Sequence, residues 1–489
     1  MLLNKSILML YRNPILLTII SIAFYFSFSY DLLRTDYTKL IILYSGLFFL
    51  FYKLLQITKF NFKFLVFVSV IFRLVFLFAT PNLSQDFYRF IWDGRMILEG
   101  INPYLSTVES YISLANFPVF QAQELYNGMG ALSASHYTNY PPLNQLCFVI
   151  AGLFASKSIL GSVIVLRLII IAADIGTLYF GKKLLEKLKI PTHKIFWYIL
   201  NPFIIIELTG NLHFEGVMIF FLVWSLYLLH VGKWKFAAVI FALSVSVKLI
   251  PLLFLPLFYQ WFMKRNVIAN EEKQSVSKDG ITSSLPPRND RQDSSFPIAI
   301  RTFRMTKLIL FYTIIGVTTI LLFAPFYSSK FITNYTQTVA LWFNNFEFNA
   351  SIYYVAREIG YLFRGWNEIA IIGKYIPVIV ILFVLILTFF RKNKTTIQLI
   401  TAMLFALSFY YFTATTVHPW YIATLLILSV FTNYKFPLVW SFIIIISYLA
   451  YANTDNTENL GIIAFEYIVV YSVFVWEVFF RKGSSAELT

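Results

Sequence analysis

The sequence predicts an all-α fold, a polytopic transmembrane helical bundle, from its composition and the length of its apolar runs. Hydrophobic side chains make up 58% of the 489 residues, charged side chains 13%, and the mean hydropathy is +0.71. Soluble proteins carry charge on about a quarter of their residues. Apolar runs of roughly 17–25 residues, each able to cross about 30 Å of hydrocarbon, recur from Ile7 to Phe480. Since backbone groups in lipid need partners within their own segment, we interpret these runs as helices and not as barrel strands.

We interpret the net charge of +15 as an indication of which loops face the cytoplasm. The basic residues cluster in short loops between the apolar runs, and the positive-inside rule places such loops in the cytoplasm. We therefore expect the lipid bilayer, and no nucleic acid, to be the partner of this charge. The loop from Thr80 to Pro142 carries five acidic residues against two arginines and is predicted to face outward. With both termini in the cytoplasm, this pattern gives about 14 spans in the cell inner (cytoplasmic) membrane.

Composition divides the chain into four predicted parts. They are two N-terminal transmembrane helices (1–58), a catalytic module with the first outer loop (59–263, loop 80–142), a flexible cytoplasmic linker (264–305), and a C-terminal transmembrane module with a second outer loop (306–489, loop 327–367). The linker is predicted from its Ser, Asn, Asp and Pro content and its mixed charges. The run from Leu143 to Ala155 is too short to span and is interpreted as a re-entrant or interfacial helix. Two short spans are expected to meet near Lys248, and Asn201 with Pro202 is expected inside a span.

The first candidate for chemistry is Asp86, which follows the apolar run from Phe62 to Ala79 at the outer end of a span. A carboxylate beside low-dielectric lipid is expected to have a raised pKa and to act as a general base on a hydroxyl. The alternative is an interfacial ion pair with Arg89, one helical turn away. The residues after Asp86 are predicted to form an amphipathic helix that lies in the membrane interface and ends before Gly100.

Other candidates converge on the predicted outer face, where they could bind a sugar or a phosphate. Lys248 interrupts a span, which is costly and typical of a functional residue; snorkelling of its side chain to the interface is the alternative. Arg167 starts its span at the outer face, where it could also be a plain anchor. The remaining candidates of this face are Asp93, Arg95, Tyr140, His213, Glu215, His418 and Trp420. Helix capping and the aromatic belt of the interface are the alternative interpretations for this group.

The sequence offers no strong metal site. Cys147 is the only cysteine, which excludes an intramolecular disulfide and a cysteine-based metal cluster. His213 and Glu215 are two residues apart, but no third ligand is evident beside them. No cofactor is predicted with certainty, and a divalent cation is left open.

An ordered set of motifs extends along the chain from residue 62 to residue 451. The set comprises Asp86-Phe-Tyr-Arg-Phe-Ile-Trp-Asp-Gly-Arg95, Gly100-Ile-Asn-Pro-Tyr104, Tyr140-Pro-Pro-Leu143, Asn201-Pro202, Asn211-Leu-His-Phe-Glu215, Lys248-Leu-Ile-Pro251 and His418-Pro-Trp-Tyr421. In this order the motifs resemble bacterial polytopic GT-C glycosyltransferases, especially the mannosyltransferase-like members that use polyprenyl-phosphate sugars. The acid that opens the first large outer loop is the catalytic base of that family, and the matching residue is Asp86. Some relatives carry an acidic pair there; Gln85 and Tyr88 stand in its place, which leaves a metal-binding pair in doubt.

The resemblance implies an inverting glycosyltransferase. It would move a hexose, with mannose the sugar that the resemblance favours, from a polyprenyl-phosphate donor to a lipid-linked or cell-surface glycan on the outer face. Because the leaving group is an anionic phosphate, the site needs cations near it; the candidates are Arg89, Arg167, Lys248, Arg357, Arg364 and His418. A lipid-linked oligosaccharide flippase and an outer-leaflet glycan polymerase or ligase remain as alternatives. No internal repeat is visible, which weakens the transporter interpretation.

Overall fold

The computed structural model describes residues 5–113, 117–155, 157–264, 295–344, 346–453 and 457–481. Within these ranges the regular elements are helices, and the only strand-like pairing is one isolated parallel bridge between Phe348 and Thr416. The prediction of an all-α polytopic fold is therefore confirmed.

The helices of the N-terminal half lead up to the predicted linker. They are α1 Lys5–Asp31, α2 Tyr37–Thr58, α3 Phe62–Val75, α4 Asp86–Leu98, α5 Val108–Ser113, α6 Ala122–Ala134, α7 Pro142–Ala155, α8 Ile159–Lys187, α9 Phe196–Ile199, α10 Pro202–Ile204, α11 Glu215–His230, α12 Trp234–Val247 and α13 Phe258–Lys264. A π-helix, Ile205–Gly210, continues α10, and a 3-10 helix, Ile250–Leu257, connects α12 to α13.

The helices of the C-terminal half begin inside the predicted linker. They are α14 Ser295–Phe323, α15 Ser329–Asn344, α16 Ile352–Arg364, α17 Ile369–Phe389, α18 Thr396–Thr413, α19 Ile422–Val430, α20 Phe436–Ile443 and α21 Leu460–Val475. Residues 265–294 of the predicted linker (264–305) lie outside the described residues, whereas its last residues already belong to α14.

Seven helices of the described ranges are long and apolar enough to cross a membrane. They are Arg12–Asp31, Tyr37–Thr58, Ile159–Lys187, Arg301–Phe326, Ile369–Phe389, Thr396–Thr413 and Leu460–Phe480, and the bent pair of α10 and α11 raises the number to eight if it counts as one span. Four shorter apolar helices, Pro142–Ala155, Trp234–Val247, Pro419–Val430 and Phe436–Ala452, accompany them. The predicted total of about 14 spans stays a prediction.

Helix α4 differs from the predicted interfacial helix. It begins at Asp86 and ends at Leu98, two residues before Gly100 with its φ of +75°, as the sequence indicates. However, most of its residues are buried, because α4 packs between α6 and α7. The packing against α7 is close enough that a Cβ at Gly94 would lie 2.3 Å from the carbonyl oxygen of Phe148. Helix α4 is therefore held rigidly inside the protein.

Two further breaks lie where the sequence has proline. Lys248 follows the last residue of α12 in an extended conformation, with φ −146° and ψ 140°, before the 3-10 helix that contains Pro251. The apolar run around Asn201 predicts that this residue lies inside a span, but Asn201 lies just before a helix. Its side chain instead accepts a hydrogen bond from Phe203 N, so Asn201 caps the start of α10 at Pro202.

Candidate active site

The site is built around a sharp break between α10 with its π-helical extension and α11. The two helices meet at 115°, and residues 211–214 between them are not helical. Leu212 in this break is fully buried and has a φ of +63°, a left-handed conformation that leucine rarely adopts. Such strain persists only where the surroundings impose it, and it is concentrated at functional sites. The break presents His213 and Glu215.

Arg167 on α8 holds the break together. Its Nε donates to Thr209 O at 2.9 Å, its Nη2 to Gly210 O at 2.9 Å and its Nη1 to Leu77 O at 3.0 Å. The side chain is completely buried. Non-helical backbone at membrane depth needs such internal partners. Arg167 was a candidate for phosphate binding, but its guanidinium is directed at three carbonyls, and we assign it a positioning role.

Two asparagines fasten the segment that leads into Asp86. The Oδ1 of Asn211, in the break, accepts from Leu83 N at 3.0 Å. The Nδ2 of Asn82 donates to Phe28 O at 2.8 Å and to Leu32 O at 3.2 Å, at the C-terminal end of α1. The start of α4 is thereby fixed to the break on one side and to the α1–α2 connection on the other.

Glu215 and Lys248 form an ion pair beside the break. We call the region around this pair, Tyr140 and Asp86 the chamber. Lys248 Nζ lies 2.9 Å from Glu215 Oε1, and 24% of the lysine side chain is exposed against 5% of the glutamate. The second oxygen of Glu215 is buried and makes no hydrogen bond within the described residues. Lys248 Nζ also lies 5.7 Å from the centroid of the Tyr140 ring. The structure thus brings together three of the predicted site residues, Tyr140, Glu215 and Lys248.

Asp86 is the first residue of α4, is partly buried, and lies close enough to Lys248 and Glu215 for their charges to act on its carboxylate. In the part of the chain that the structure describes, its carboxylate has neither a hydrogen-bond donor nor an ion-pair partner. Burial raises the pKa of Asp86; Lys248 lowers it in part, Glu215 raises it, and Arg34 lowers it. The net direction is upward, which keeps the carboxylate a better proton acceptor than an exposed aspartate.

A continuous aromatic stack crosses the chamber next to these charges. His213 stacks on Trp420 at 3.7 Å between centroids, Trp420 on His418 at 4.5 Å, His418 on Phe348 at 5.1 Å, Phe348 on Tyr451 at 5.8 Å, and the guanidinium carbon of Arg34 lies 3.3 Å from the centroid of Tyr451. We call His213, Trp420, His418, Phe348 and Tyr451 the aromatic stack. Both faces of Trp420 are covered by histidine rings, so a sugar ring cannot stack on it.

His418 lies in the middle of the stack as a neutral ring. Burial lowers the pKa of His418 to about 3, and the positive charges of Lys248 and Arg34 add to this shift. The imidazole is therefore uncharged at physiological pH and cannot offset a phosphate by charge. A neutral imidazole still carries one N–H donor, so the phosphate contact of His418 stays a prediction.

The remaining candidates on α4 belong to a separate buried network. Arg89 Nε lies 2.8 Å from Asp93 Oδ1, and its Nη1 donates to Ser133 O and to His136 O at 3.0 Å each. Gln145 Nε2 donates to the other oxygen of Asp93 at 3.0 Å. The alternative pair of Arg89 with Asp86 is therefore not the one that forms. Arg89 and Asp93 tie the outer loop to α4 and α7.

The other arginine candidates contact residues other than Glu215 and Lys248. Arg95 Nη1 donates to Phe120 O at 2.7 Å and so holds the start of α6. Arg357 lies 2.5 Å from Glu347 in the second outer loop. Arg364, whose side chain is 61% exposed, lies 3.5 Å from Glu368. All three are engaged in local contacts of the outer loops.

Sequence reasoning missed several residues of the chamber. Arg34, Phe348 and Tyr451 come from three distant parts of the chain, and Tyr448 donates its hydroxyl to the fully buried Glu207 at 3.0 Å. Only Arg34 left a signal in the sequence: a basic residue in a loop that the topology places outside runs against the positive-inside rule. The aromatic partners are indistinguishable from an ordinary interfacial belt without the tertiary structure.

Within the described residues, His, Cys, Asp and Glu side chains do not gather in groups of three that could hold a metal ion. Residues 27–264 match the family described as alpha-(1->6)-mannopyranosyltransferase, N-terminal domain. No curated protein matches the chain. The matched region contains Arg34, Asp86, Glu215 and Lys248, whereas His418, Trp420 and Tyr451 lie beyond it.

Proposed function

We propose that the chain is a membrane mannosyltransferase of GT-C-like kind, because residues 27–264 match the alpha-(1->6)-mannopyranosyltransferase N-terminal domain. Its donor would be a polyprenyl-phosphate mannose, and the reaction would occur on the outer face of the cell inner membrane. The acceptor would be a lipid-linked or cell-surface glycan. The observation that carries this proposal is the carboxylate of Asp86, which has no partner within the described residues and stands beside the Glu215–Lys248 pair.

The proposed chemistry is a single displacement. Asp86 takes the proton from an acceptor hydroxyl, and the hydroxyl oxygen attacks the anomeric carbon of the mannose. The bond between that carbon and the phosphate oxygen breaks at the same time, and the electron pair leaves with the phosphate. The products are the glycosidic bond, a polyprenyl phosphate and a protonated Asp86, which then releases its proton to water.

The linkage of the family constrains the donor. A single displacement inverts the anomeric carbon, so an alpha product of the kind named for the matched family requires a beta-linked mannosyl phosphate. A (1->6) linkage would make the acceptor group a primary hydroxyl, which is less hindered than a ring hydroxyl. Both features follow only if the chain shares the linkage of the family.

Lys248 would stabilise the phosphate as it leaves. It lies at a break in the helices, its side chain is partly accessible, and a cation aimed at a developing charge in a water-poor site is a large source of rate. Glu215 fixes the position of Lys248 through its Oε1 and offers its second oxygen to a sugar hydroxyl. Tyr140 lies over the lysine and closes this side of the chamber.

The test compares the full chain in lipid nanodiscs with two Asp-to-Asn variants. Asp86→Asn should lower kcat for mannosyl transfer by about 10²- to 10⁴-fold, because a general base is lost at nearly constant shape. Asp36→Asn is the matched control: Asp36 caps α2 by accepting from Lys39 N, and asparagine caps a helix equally well. Near-normal transfer by Asp86→Asn would remove Asp86 from the mechanism.

The donor class is tested with a panel of activated sugars. Polyprenyl-phosphate mannose should be consumed, whereas mannose on a nucleotide or on a polyprenyl pyrophosphate should not, and a chelator arm reports whether a divalent cation takes part. Transfer from the nucleotide sugar but not from the lipid monophosphate would overturn the donor assignment.

The outer location is tested by labelling single cysteines in intact cells. Ser110→Cys in the first outer loop should react with a membrane-impermeant maleimide, and Lys187→Cys at the end of α8 should not; both positions are exposed. Cys147 is buried and should stay silent. The reverse labelling pattern would place the active site on the cytoplasmic side.

A further inference from the structure

We propose that Arg34, in the connection between α1 and α2, binds the phosphate of the lipid-linked donor and discriminates it from a neutral lipid. This inference rests on the proposed function, since it names a second phosphate ligand for the same site. None of the motifs that suggested the site contains Arg34.

The position of Arg34 is fixed by contacts from both sides. Asn82, four residues before Asp86, donates to Phe28 O and Leu32 O, which ties the α1–α2 connection to the start of α4. The guanidinium carbon lies 3.3 Å from the centroid of Tyr451, at the end of the aromatic stack. Stacking on an aromatic ring leaves the edge of the guanidinium plane open for hydrogen bonds. Arg34 is therefore held in place by stacking and by a side-chain hydrogen bond to Tyr451, while its Nε is not used.

One donor of Arg34 is buried and unused. Its Nε has no hydrogen-bond partner within the described residues. Buried N–H groups nearly always find a partner, and a group that lacks one calls for a ligand that supplies it. A phosphate accepts two parallel hydrogen bonds from a guanidinium edge, which matches this donor set.

The charges around Asp86 require a second cation. Lys248, Glu215 and Arg34 are the charged groups that act on the Asp86 carboxylate. Without Arg34, two carboxylates would face one lysine, and an anionic phosphodiester would enter a negatively charged site. With Arg34 the charges of these four groups balance. The phosphate gains a further negative charge as it leaves, so both cations stabilise the product of bond breaking.

The aromatic stack connects Arg34 to the break that carries Glu215. Its rings extend from Tyr451 through Phe348 and His418 to Trp420 and His213, and His213 lies two residues before Glu215. Lys248 is ion-paired to that glutamate. Lys248 and Arg34 both act on the His418 ring in the middle of the stack, so the two cations lie in the same part of the protein.

The test uses farnesyl phosphate and farnesol as probes, with direct binding to the full chain in nanodiscs as the readout. Arg34→Met should weaken farnesyl phosphate by about 10- to 100-fold, the loss expected for a charged hydrogen-bonded contact, and leave farnesol unchanged. Arg34→Lys should fall between the two, because lysine keeps the charge and loses the planar fork. Lys39→Met is the control: it removes a nearby positive charge that is ion-paired to Asp31 at the surface.

Each outcome decides the assignment. Equal weakening of both probes by Arg34→Met, or an unchanged preference for the phosphate, would overturn it. Inorganic phosphate should bind far more weakly than farnesyl phosphate, since it buries no apolar chain; equal binding would point to a free-phosphate site. The assay needs no sugar transfer, so a failed Asp86→Asn experiment and a failed Arg34 experiment remain distinguishable.

A second variant pair tests the support of Arg34. Tyr451→Phe keeps the ring below the guanidinium and should leave farnesyl phosphate binding unchanged, whereas Tyr451→Leu should weaken it by several-fold, because the guanidinium loses its stacking surface. Thermal unfolding of both variants serves as the check on folding. Weakening by Tyr451→Phe to the same extent as Tyr451→Leu would contradict the role of the ring.

Discussion

Replacing Gly94 by alanine should reduce mannosyl transfer through a displacement of α4. The added Cβ would lie 2.3 Å from the carbonyl oxygen and 2.5 Å from the carbonyl carbon of Phe148 on α7, whereas ordinary contacts begin at 3.4 Å. The neighbour is backbone, which cannot rotate away, so the two helices must separate by about 1 Å. Asp86 opens the same helix, and a misplacement of about 1 Å at a catalytic group can cost about 100-fold in rate. Overpacking of this kind also costs about 1–3 kcal/mol of stability.

The assay separates displacement from unfolding. We expect Gly94→Ala to remain folded by size exclusion and thermal unfolding, with kcat for mannosyl transfer lowered by one to two orders of magnitude, that is about 10- to 100-fold. Gly316→Ala on α14 is the matched control, because its added Cβ would meet no atom within 4 Å. A Gly94→Ala protein with wild-type kcat would show that α4 tolerates the shift, and the argument that close packing positions Asp86 would fail.

Three further substitutions test the electrostatics and the scaffold. Lys248→Met removes a charge that lowers the pKa of Asp86. Since the base must be deprotonated, the acid limb of the kcat/KM profile should move to higher pH, and Lys248→Met combined with Glu215→Gln should reverse part of the move. A profile that stays in place would disprove the coupling. Arg167→Met should lower the unfolding free energy by about 3 kcal/mol or more, because three buried carbonyls lose a charged donor; an unchanged Tm would contradict this role. Asn211→Ala should cost about 1–3 kcal/mol by leaving Leu83 N–H unpaired, and hydrogen exchange at that amide should rise; continued protection would argue against it.

The sequence identified local features of the site well. Asp86 was predicted because it ends a span, and Lys248 because a lysine and a proline interrupt an apolar run; both predictions depend only on the chemistry of neighbouring residues. The structure places these two residues together with Glu215, although which of them contacts substrate stays a prediction. The start and end of α4 also follow from local signals, Asp86 and Gly100.

The rest depends on contacts between distant parts of the chain. Trp420 has the appearance of a sugar-stacking residue in the sequence, and only the structure shows that His213 and His418 cover its two faces. Arg89 could have paired with either Asp86 or Asp93 by helical spacing, and burial of the second pair beside Gln145 decided between them. Amphipathic patterning of α4 fits an interfacial helix and a buried one alike, because aromatic residues are favoured in both places.

The aromatic stack also bears on how the protein is made. Its rings are contributed by residues 213, 348, 418, 420 and 451, so the last of them is synthesised long after the region that matches the mannosyltransferase domain. Tyr44 reinforces the dependence, because its hydroxyl donates to Ser441 O across 397 residues of sequence. A nascent chain that has inserted only its first helices lacks the ring beneath Arg34. The site should therefore remain incomplete until the C-terminal helices have docked against the N-terminal ones.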